Sequence, residues 1–336
     1  MAKRAIFSVI VEGTNISSAL APVLHSLSVS DSAGTHGATA SFEIDDTDAR
    51  IVLPRAGATV SVFLGWQGGG VREVFAGTMD EIWSEGTRDG GRRLLLTAKG
   101  FDATGKAKEG QQRHWDDATV EDILTEAGEA AGIEEFEIDP DLAEIEIPYF
   151  EMHDESFLHM GGRLAREIGG NFRVRGDTAI MSKRGGEYSP LVTAAWGRNL
   201  HAWNIAPTLG RARYGAARSR WYDPDAAEWK EAEAGTDLDA EATYSDRMTR
   251  ADEGDAERQS RADGTTSERD SGAGSVTIEG DTGAVPDGLC TVTGARPGVD
   301  GIYRIEAVTH HYSRGGGWIT SLELKEPQDG AGEDSR

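Results

Sequence analysis

Apolar positions recur with two different periods along this chain, and the changes of period divide it into parts. Between residues 119 and 168 the spacing is helical: Val120, Ile123, Leu124, Ala127 and Ala131 fall on one face. Thr119 precedes them as a cap, the Asp122 carboxylate stands three residues on, and Gly132 suits a left-handed stop. A second helix is predicted from Asp154-Glu155-Ser156, with Phe157, Met160, Leu164 and Ile168 as its stripe and Gly169-Gly170 as its end. Asn171 to Arg175 then alternates at period two, Gly176-Asp177 turns the chain, and Thr178 to Met181 returns it as a hairpin. Gly105 to Gln112 reads as a polar linker into this segment. An acidic strand between the helices is expected to stop at Ile145-Glu146-Ile147-Pro148, because proline cannot donate to a ladder.

On both sides of this segment the period is two. Strands are predicted at Phe7–Val11, His25–Ser30, Ala38–Ile44, Ala58–Gly65, Val71–Ala76, Met79–Ser84 and Arg92–Lys99, with turns at Gly68-Gly69-Gly70 and Asp89-Gly90. Asp46-Thr47-Asp48-Ala49-Arg50 suits one short helix. From about residue 190 the β pattern returns, at Leu200–Ile205 and Arg211–Tyr222, closed by a turn at Tyr222-Asp223-Pro224-Asp225. It continues at Ser275–Glu279, Gly288–Thr293, Gly301–Tyr312 and Gly317–Leu324, with a turn at Pro297-Gly298 and a tight hairpin at Asp300-Gly301. Short strands with Gly and Asp turns indicate barrels or sandwiches. Segment 225–274 has too few apolar residues for a core of its own and reads as an insertion that orders only against a neighbour. Asp246 to Arg261 makes a poor helix there, since Gly254 and Gly264 each cost ~1 kcal/mol. The fold class is therefore α+β, mainly β: a first β-barrel at 1–102, an α/β middle domain at 103–189, a second β-barrel at 190–325 carrying the 225–274 insertion, and a disordered polar tail at 326–336.

A formal net charge of −24 argues against a nucleic-acid-binding surface, which needs Lys and Arg to displace counterions, and against an anionic membrane. It fits a solvated acidic face or, more sharply, an acidic wall along a DNA conduit; the linear chain does not place it. The lone cysteine, Cys290, sits in an alternating apolar stretch and reads as a buried structural thiol. No apolar run has membrane-spanning length, and Ala5–Val11 after Lys3-Arg4 reads as a first strand instead of a signal core, which implies synthesis in the cytoplasm without export and no membrane anchor.

Candidate chemistry is thin. His310-His311 on a strand point to opposite faces and lack further ligands. His153 and His159 make no metal motif. Asp45, Asp46, Asp48 and Asp80 read as a turn and a strand edge, with nothing to push paired carboxylate pKa values apart. Gly68-Gly69-Gly70 and Gly315-Gly316-Gly317 read as hairpin tips, since neither opens a helix. Trp66, Trp83, Trp196, Trp203, Trp221, Trp229 and Trp318 suit core or interface packing. No catalytic, cofactor or metal residue is expected.

Trp115, Thr119 to Leu124, Tyr149 to Leu158, Arg163 to Glu167 and the following hairpin resemble the middle of the phage late control gene D family, as do Arg296 to Tyr303 and the strand Trp318–Leu324. These are baseplate hub proteins of contractile phage tails, related to the valine–glycine-repeat spike proteins of type VI secretion. The resemblance implies tube-like barrels and a non-enzymatic homotrimer that joins the hexameric tail tube to the trimeric central spike. Baseplate wedge and tape measure proteins would be further neighbours, and DNA would pass without specific binding. It also implies a place in the virion, at the tail baseplate, after assembly in the host cytoplasm. The acidic, glycine-dotted 225–274 segment departs from the family pattern. The alternatives are a hub-associated peptidoglycan hydrolase or a peptidoglycan-binding module.

Overall fold

The computed structural model describes residues 3–33, 37–88, 91–100, 106–183, 191–206, 214–238, 240–270, 272–328 and 331. The mainly β, α+β class holds. In the first region the strands are β1 (Ala5–Val11), β2 (Thr14–Asn15), β3 (Leu24–Ser32), β4 (Thr39–Asp45), β5 (Thr59–Trp66), β6 (Gly70–Thr87) and β7 (Gly91–Lys99), with one turn of helix, α1 (Ser17–Leu20). The middle carries β8 (Gly110–Thr119), α2 (Val120–Ala130), β9 (Glu135–Ile138), α3 (Pro140–Ala143), β10 (Glu146–Ser156), α4 (Phe157–Ile168), β11 (Gly170–Arg175) and β12 (Thr178–Lys183). The rest comprises β13 (Leu191–Ala195), β14 (Leu200–Ala206), β15 (Ala216–Asp223), β16 (Glu228–Gly235), β17 (Thr243–Arg250), α5 (Glu253–Arg269), β18 (Ala273–Glu279), β19 (Leu289–Thr293), β20 (Gly301–Ser313) and β21 (Gly317–Gln328).

The two outer β regions merge into one 13-stranded sheet, ordered β14-β18-β21-β20-β3-β4-β7-β6-β5-β1-β2, with β19 on β20 and β13 on β19. Expected as separate barrels, they are stitched by β3 and β20, which pair antiparallel from Ser26↔Ser313 to Ser32↔Ala307. Each still keeps its own core. One gathers Val9, Leu27, Phe42, Val62, Phe75 and Leu96, the other Val192, Val276, Cys290, Tyr303, Ile305 and Leu322. Trp318 crosses the stitch: it belongs to the second region in sequence but packs in the first core, 5.3 Å from Trp66 between ring centroids.

The middle segment follows its sequence closely. Thr119 and Asp122 form a complete capping box, Ser156 caps α4 by accepting from the His159 N–H, and Gly169 takes φ 73° at the end of α4. Val120, Ile123, Leu124, Phe157, Met160 and Leu164 are buried in a third core. Two readings fail here. The linker runs into a strand, since β8 starts at Gly110 and pairs with β10. β10 also continues through Pro148, which lies between the paired residues Ile147 and Tyr149. The sheet has only two strands, so β10 keeps a free edge toward which a residue without an N–H can turn.

Other differences are local. Asp46–Arg50 is a turn and bend without helix, its Asp45 carboxylate accepting from the Thr47 N–H and hydroxyl, and Ala49 stands at φ 53°. Val71–Ala76 and Met79–Ser84 are one long strand, β6. The β19–β20 hairpin is wider than a two-residue turn: its loop is held by the Asp300 carboxylate, which accepts from the backbone N–H groups of Gly294, Ala295 and Arg296. Glu326 to Gln328, assigned to the tail, end β21. The Asp89-Gly90 turn, Arg211 to Arg213 and the rest of the tail except Ala331 lie outside the described residues.

The largest correction is 225–274. Instead of waiting for a neighbour, it forms β16, β17 and α5, which pack with β15 as a three-stranded sheet under a 17-residue helix. Its polar composition is met by small residues and ion pairs. Ala256 and Ala262 of α5 and Ala217, Ser219 and Trp221 of β15 are buried. Arg250 meets Asp246 at 2.6 Å, and Asp252 caps the helix by accepting from the Asp255 N–H at 2.8 Å. Acids in the first turn and Arg269 in the last complement the helix dipole.

Gly161 tests how tightly α4 is seated. Alanine would raise helix propensity by roughly 1 kcal/mol. Its Cβ, however, would stand 2.5 Å from Phe172, a buried ring held edge-on by Phe157 at 5.4 Å. Overpacking of that kind costs ~1–3 kcal/mol, so Gly161→Ala is expected to destabilise by about 1 kcal/mol net. A lower urea midpoint is the expected readout, and a raised one would show that the ring yields.

Candidate interaction surface

Three features build the surface: an uncovered face, two open edges and a charged seam. Eight strands in register, β14-β18-β21-β20-β3-β4-β7-β6, form a continuous arc. Alternation puts Val276, Leu322, Val308, Val29, Ala40 and Ala98 on its core side, and on the other Ser and Thr side chains together with Glu43, Glu81, Lys99, Ile319 and Glu323.

The arc ends in open edges. β5 covers β6 only through Thr78, while β7 follows it to Thr87, so among the described residues the outer edge of Asp80–Thr87 has no strand partner. There Trp83 is 60% exposed, its indole N–H donating to Glu81. At the far end, among the described residues, β14 pairs with β18 alone, apart from a bridge between Leu200 and Trp196. β14 holds no Asp, Glu, Lys or Arg, and beside it Trp196 is 54% exposed and edge-on to Trp203. The edge strands β16 and β17 of the small sheet are charged by contrast, with Glu228, Lys230, Glu231 and Glu233 on one and Asp246, Arg247 and Arg250 on the other.

The middle segment joins this framework along β11. Phe172 and Val174 point into its own core. The alternate residues reach out: Asn171 donates to Asp287, Arg173 lies 4.0 Å from Asp31, and Arg175 pairs with Glu73. Buried Arg269 continues the seam to Asp287 at 3.0 Å and Glu306 at 2.7 Å. Burial pushes the Asp31 carboxyl up against the opposing pull of Arg173. A cleft of about 140 Å³ at the seam is lined by Asp31, Glu73, Arg173, Arg175 and His310.

The structure also places the charge. Residues 114–162 carry sixteen Asp and Glu and no Lys or Arg. All of these acids but Asp139 and Glu155 are exposed, on the shell of the middle segment.

The candidate side chains from the sequence are scattered. Asp45 caps its turn, Asp80 pairs with Lys99 at 2.5 Å, and His159 meets Glu155 at 3.2 Å. The glycine triplets stand at the β5–β6 and β20–β21 hairpin tips. Cys290 is buried, its thiol pushed up to about 12 by desolvation. His310 faces inward and His311 outward, and no metal-binding group is found among the described residues. The open edges were beyond sequence reasoning, because an edge is defined by which strand fails to pair; a charge-free β14 was the one available signal.

Comparison with known proteins identifies the architecture. The profile of the phage tail baseplate hub (GPD) family matches residues 39–316. The chain belongs to the phage tail baseplate hub family. A probable baseplate hub protein of Escherichia phage 186 is 27% identical over 179 residues, which cover 53% of this chain and 45% of that relative. The match thus spans under half of the relative's length. In fold, a tail protein from Neisseria meningitidis MC58 superposes with a TM-score of 0.71 at 16% identity, over 98% of each chain. An Escherichia coli component of the type VI secretion system, described as similar to bacteriophage T4 tail proteins, gives 0.58 at 11% identity over 94% of this chain and 76% of its own. Hub membership thus agrees with a surface made of edges and faces.

His310 gives the seam a pH signature. Its Nδ1 lies 2.9 Å from Thr320 Oγ1, and burial pushes the imidazole down to about 4, with Asp281 opposing. Below the ordinary value of 6.5 the unfolded chain takes up the proton first. The advantage of keeping this histidine neutral is therefore full above that pH and shrinks as pH falls toward about 4. Linkage over that window is roughly 3 kcal/mol. His310→Gln should flatten the loss of stability between those pH values, read from urea midpoints. Equal slopes for both proteins would reject it.

Proposed function

We propose that the chain is the structural hub subunit of a contractile tail baseplate, a homotrimer joining a hexameric tail tube to a trimeric spike and passing DNA without binding it specifically. The observation that carries this reading is the eight-stranded arc with one open strand edge at each end among the described residues, seven residues of β14 against eight from Asp80 to Thr87. Two cores per chain give three chains six similar lobes, which matches a sixfold tube on one side and a threefold spike on the other. Joining β14 of one copy to β6 of the next removes both open edges. The threefold number itself rests on the family resemblance. Tail baseplate localisation, and wedge or tape measure proteins as outer neighbours, belong to the same reading. The role is assembly and transmission of force, with no turnover.

Light scattering on the purified chain across a concentration series is the test, with a trimer as the expected species. Trp83→Ala removes an exposed ring that no core uses, so folding should be retained while association weakens about tenfold, or roughly 1.4 kcal/mol. A chain that stays single at every concentration and is absent from the baseplate of assembled tails would overturn the reading. Unchanged association in Trp83→Ala would remove the proposed role of the β6 edge.

A further inference from the structure

The middle segment is attached to the rest of the molecule differently from the way the two β regions are attached to each other. The β regions share the β3–β20 ladder and the Trp318 ring. The middle segment shares no core residue with either: its buried core runs from Ala107 to Met181, and none of these residues belongs to the other two cores. What crosses its boundary is polar. Along β11 the contacts are those of Asn171, Arg173 and Arg175 with Asp287, Asp31 and Glu73. Among the described residues the backbone adds the Gly176 N–H, which donates to the Gly100 carbonyl at 2.7 Å. Farther along, α4 meets α5, and there Glu167 lies in the field of Asp255 and Arg250.

The boundary is also loosely filled. Protein interiors are close-packed, with few voids larger than a water molecule. Cavities of about 140, 300 and 530 Å³ lie along this boundary, each walled on one side by the middle segment. Val174 borders the first and third, and Phe172 the second. Closure also holds acids away from water: burial pushes the carboxyls of Asp31 and Glu167 up, against the pull of Arg173 and Arg163. Bodies within one chain move relative to each other unless their contact is large and apolar, and this contact is polar and hollow.

We propose that the middle segment is a hinged body, latched shut on the β framework by the outward side chains of β11, and that it swings open as a unit while all three cores stay folded. The framework itself is fixed by β3 and β20, so the motion carries the acidic shell of the middle segment past a stationary sheet. The inference concerns the single chain and does not depend on the ring reading.

Spin-label distances within the full chain test it, with labelled protein mixed into an excess of unlabelled protein so that labels on different chains stay apart. Cys290 is buried, so Glu121→Cys on α2 and Ser41→Cys on β4, both exposed, carry the labels. One short distance should dominate in the otherwise unaltered chain. Arg175→Glu sets a carboxylate against Glu73 and should raise the share of a longer distance about tenfold from a minor population. Adding Glu73→Arg to it should restore the short one. Amide hydrogen exchange in the same variants should keep its protection in all three cores. A distance unchanged by Arg175→Glu would show a rigid boundary and overturn the inference. A longer distance accompanied by lost protection at Ile123 and Leu164 would mean that the segment unfolds instead of swinging, which also overturns it. A charge swap that fails to restore the short distance would reject β11 as the latch.

Discussion

The pairing of β3 with β20 is the constraint on which the rest depends. It joins residues near the two ends of the chain, and neither β region has its full sheet until the last strands arrive. Such distant pairing is affordable because loop-closure entropy grows only with the logarithm of separation. Once formed, it fixes much else: Trp318 reaches the first core, its ring beside Trp66, and the Trp66 indole N–H donates to the Gly280 carbonyl at 2.9 Å. Gly280 must be a glycine, since a Cβ there would lie 2.0 Å from the Trp318 ring. The two regions are therefore rigidly related to each other, which a subunit placing two lobes in one ring requires.

Charge is partitioned with equal consistency. The middle segment is covered in carboxylates, the seams are ion-paired, and the open face of the arc mixes hydroxyls with a few charges such as Glu43, Glu81, Lys99 and Glu323. β11 makes this economical, because a strand that alternates can spend Phe172 and Val174 on its own core and Arg173 and Arg175 on acids of the first β region. The seam is half-buried, so these pairs are less screened than surface ones, although Arg173 at 4.0 Å from Asp31 contributes little alone.

What the sequence disclosed is what local chemistry decides. The Thr119-Asp122 box, the Ser156 cap and the Gly169 stop are each set within a few residues, and all formed as read. Alternation found most strands of both β regions for the same reason. The merger of the two regions was illegible, because the Ser28 and His311 that now stand side by side are far apart in the chain and neither names its partner. The 225–274 segment was misread because apolar count was taken as the measure of packing. Ala217 and Ala256 allow close approach of sheet and helix without large apolar side chains, and Arg269 is compensated by two acids contributed from outside the segment. Of the interaction surface, the exposed tryptophans were in view as packing candidates, but the edges were not.

The edges also bear on how copies meet. β16 and β17 show what this chain does with the outer edges of a small sheet: both carry charges along their length, a common defence against stray pairing. β14 lacks that defence, and the uncovered stretch of β6, Asp80–Thr87, has only acids, Asp80, Glu81 and Glu85. A twofold contact of β6 with its own copy would set carboxylates against carboxylates, which is unfavourable across a strand pair. A contact of acidic β6 with uncharged β14 has no such conflict. Electrostatics therefore disfavours one isologous pairing and leaves the head-to-tail one open. Head-to-tail contacts close into rings when the rotation allows and run on as filaments when it does not. The curvature of the arc, set by the twist of its strands and the bulges at Met79/Glu81 in β6 and Leu200/Ala202 in β14, is then what selects closure in the proposed hub.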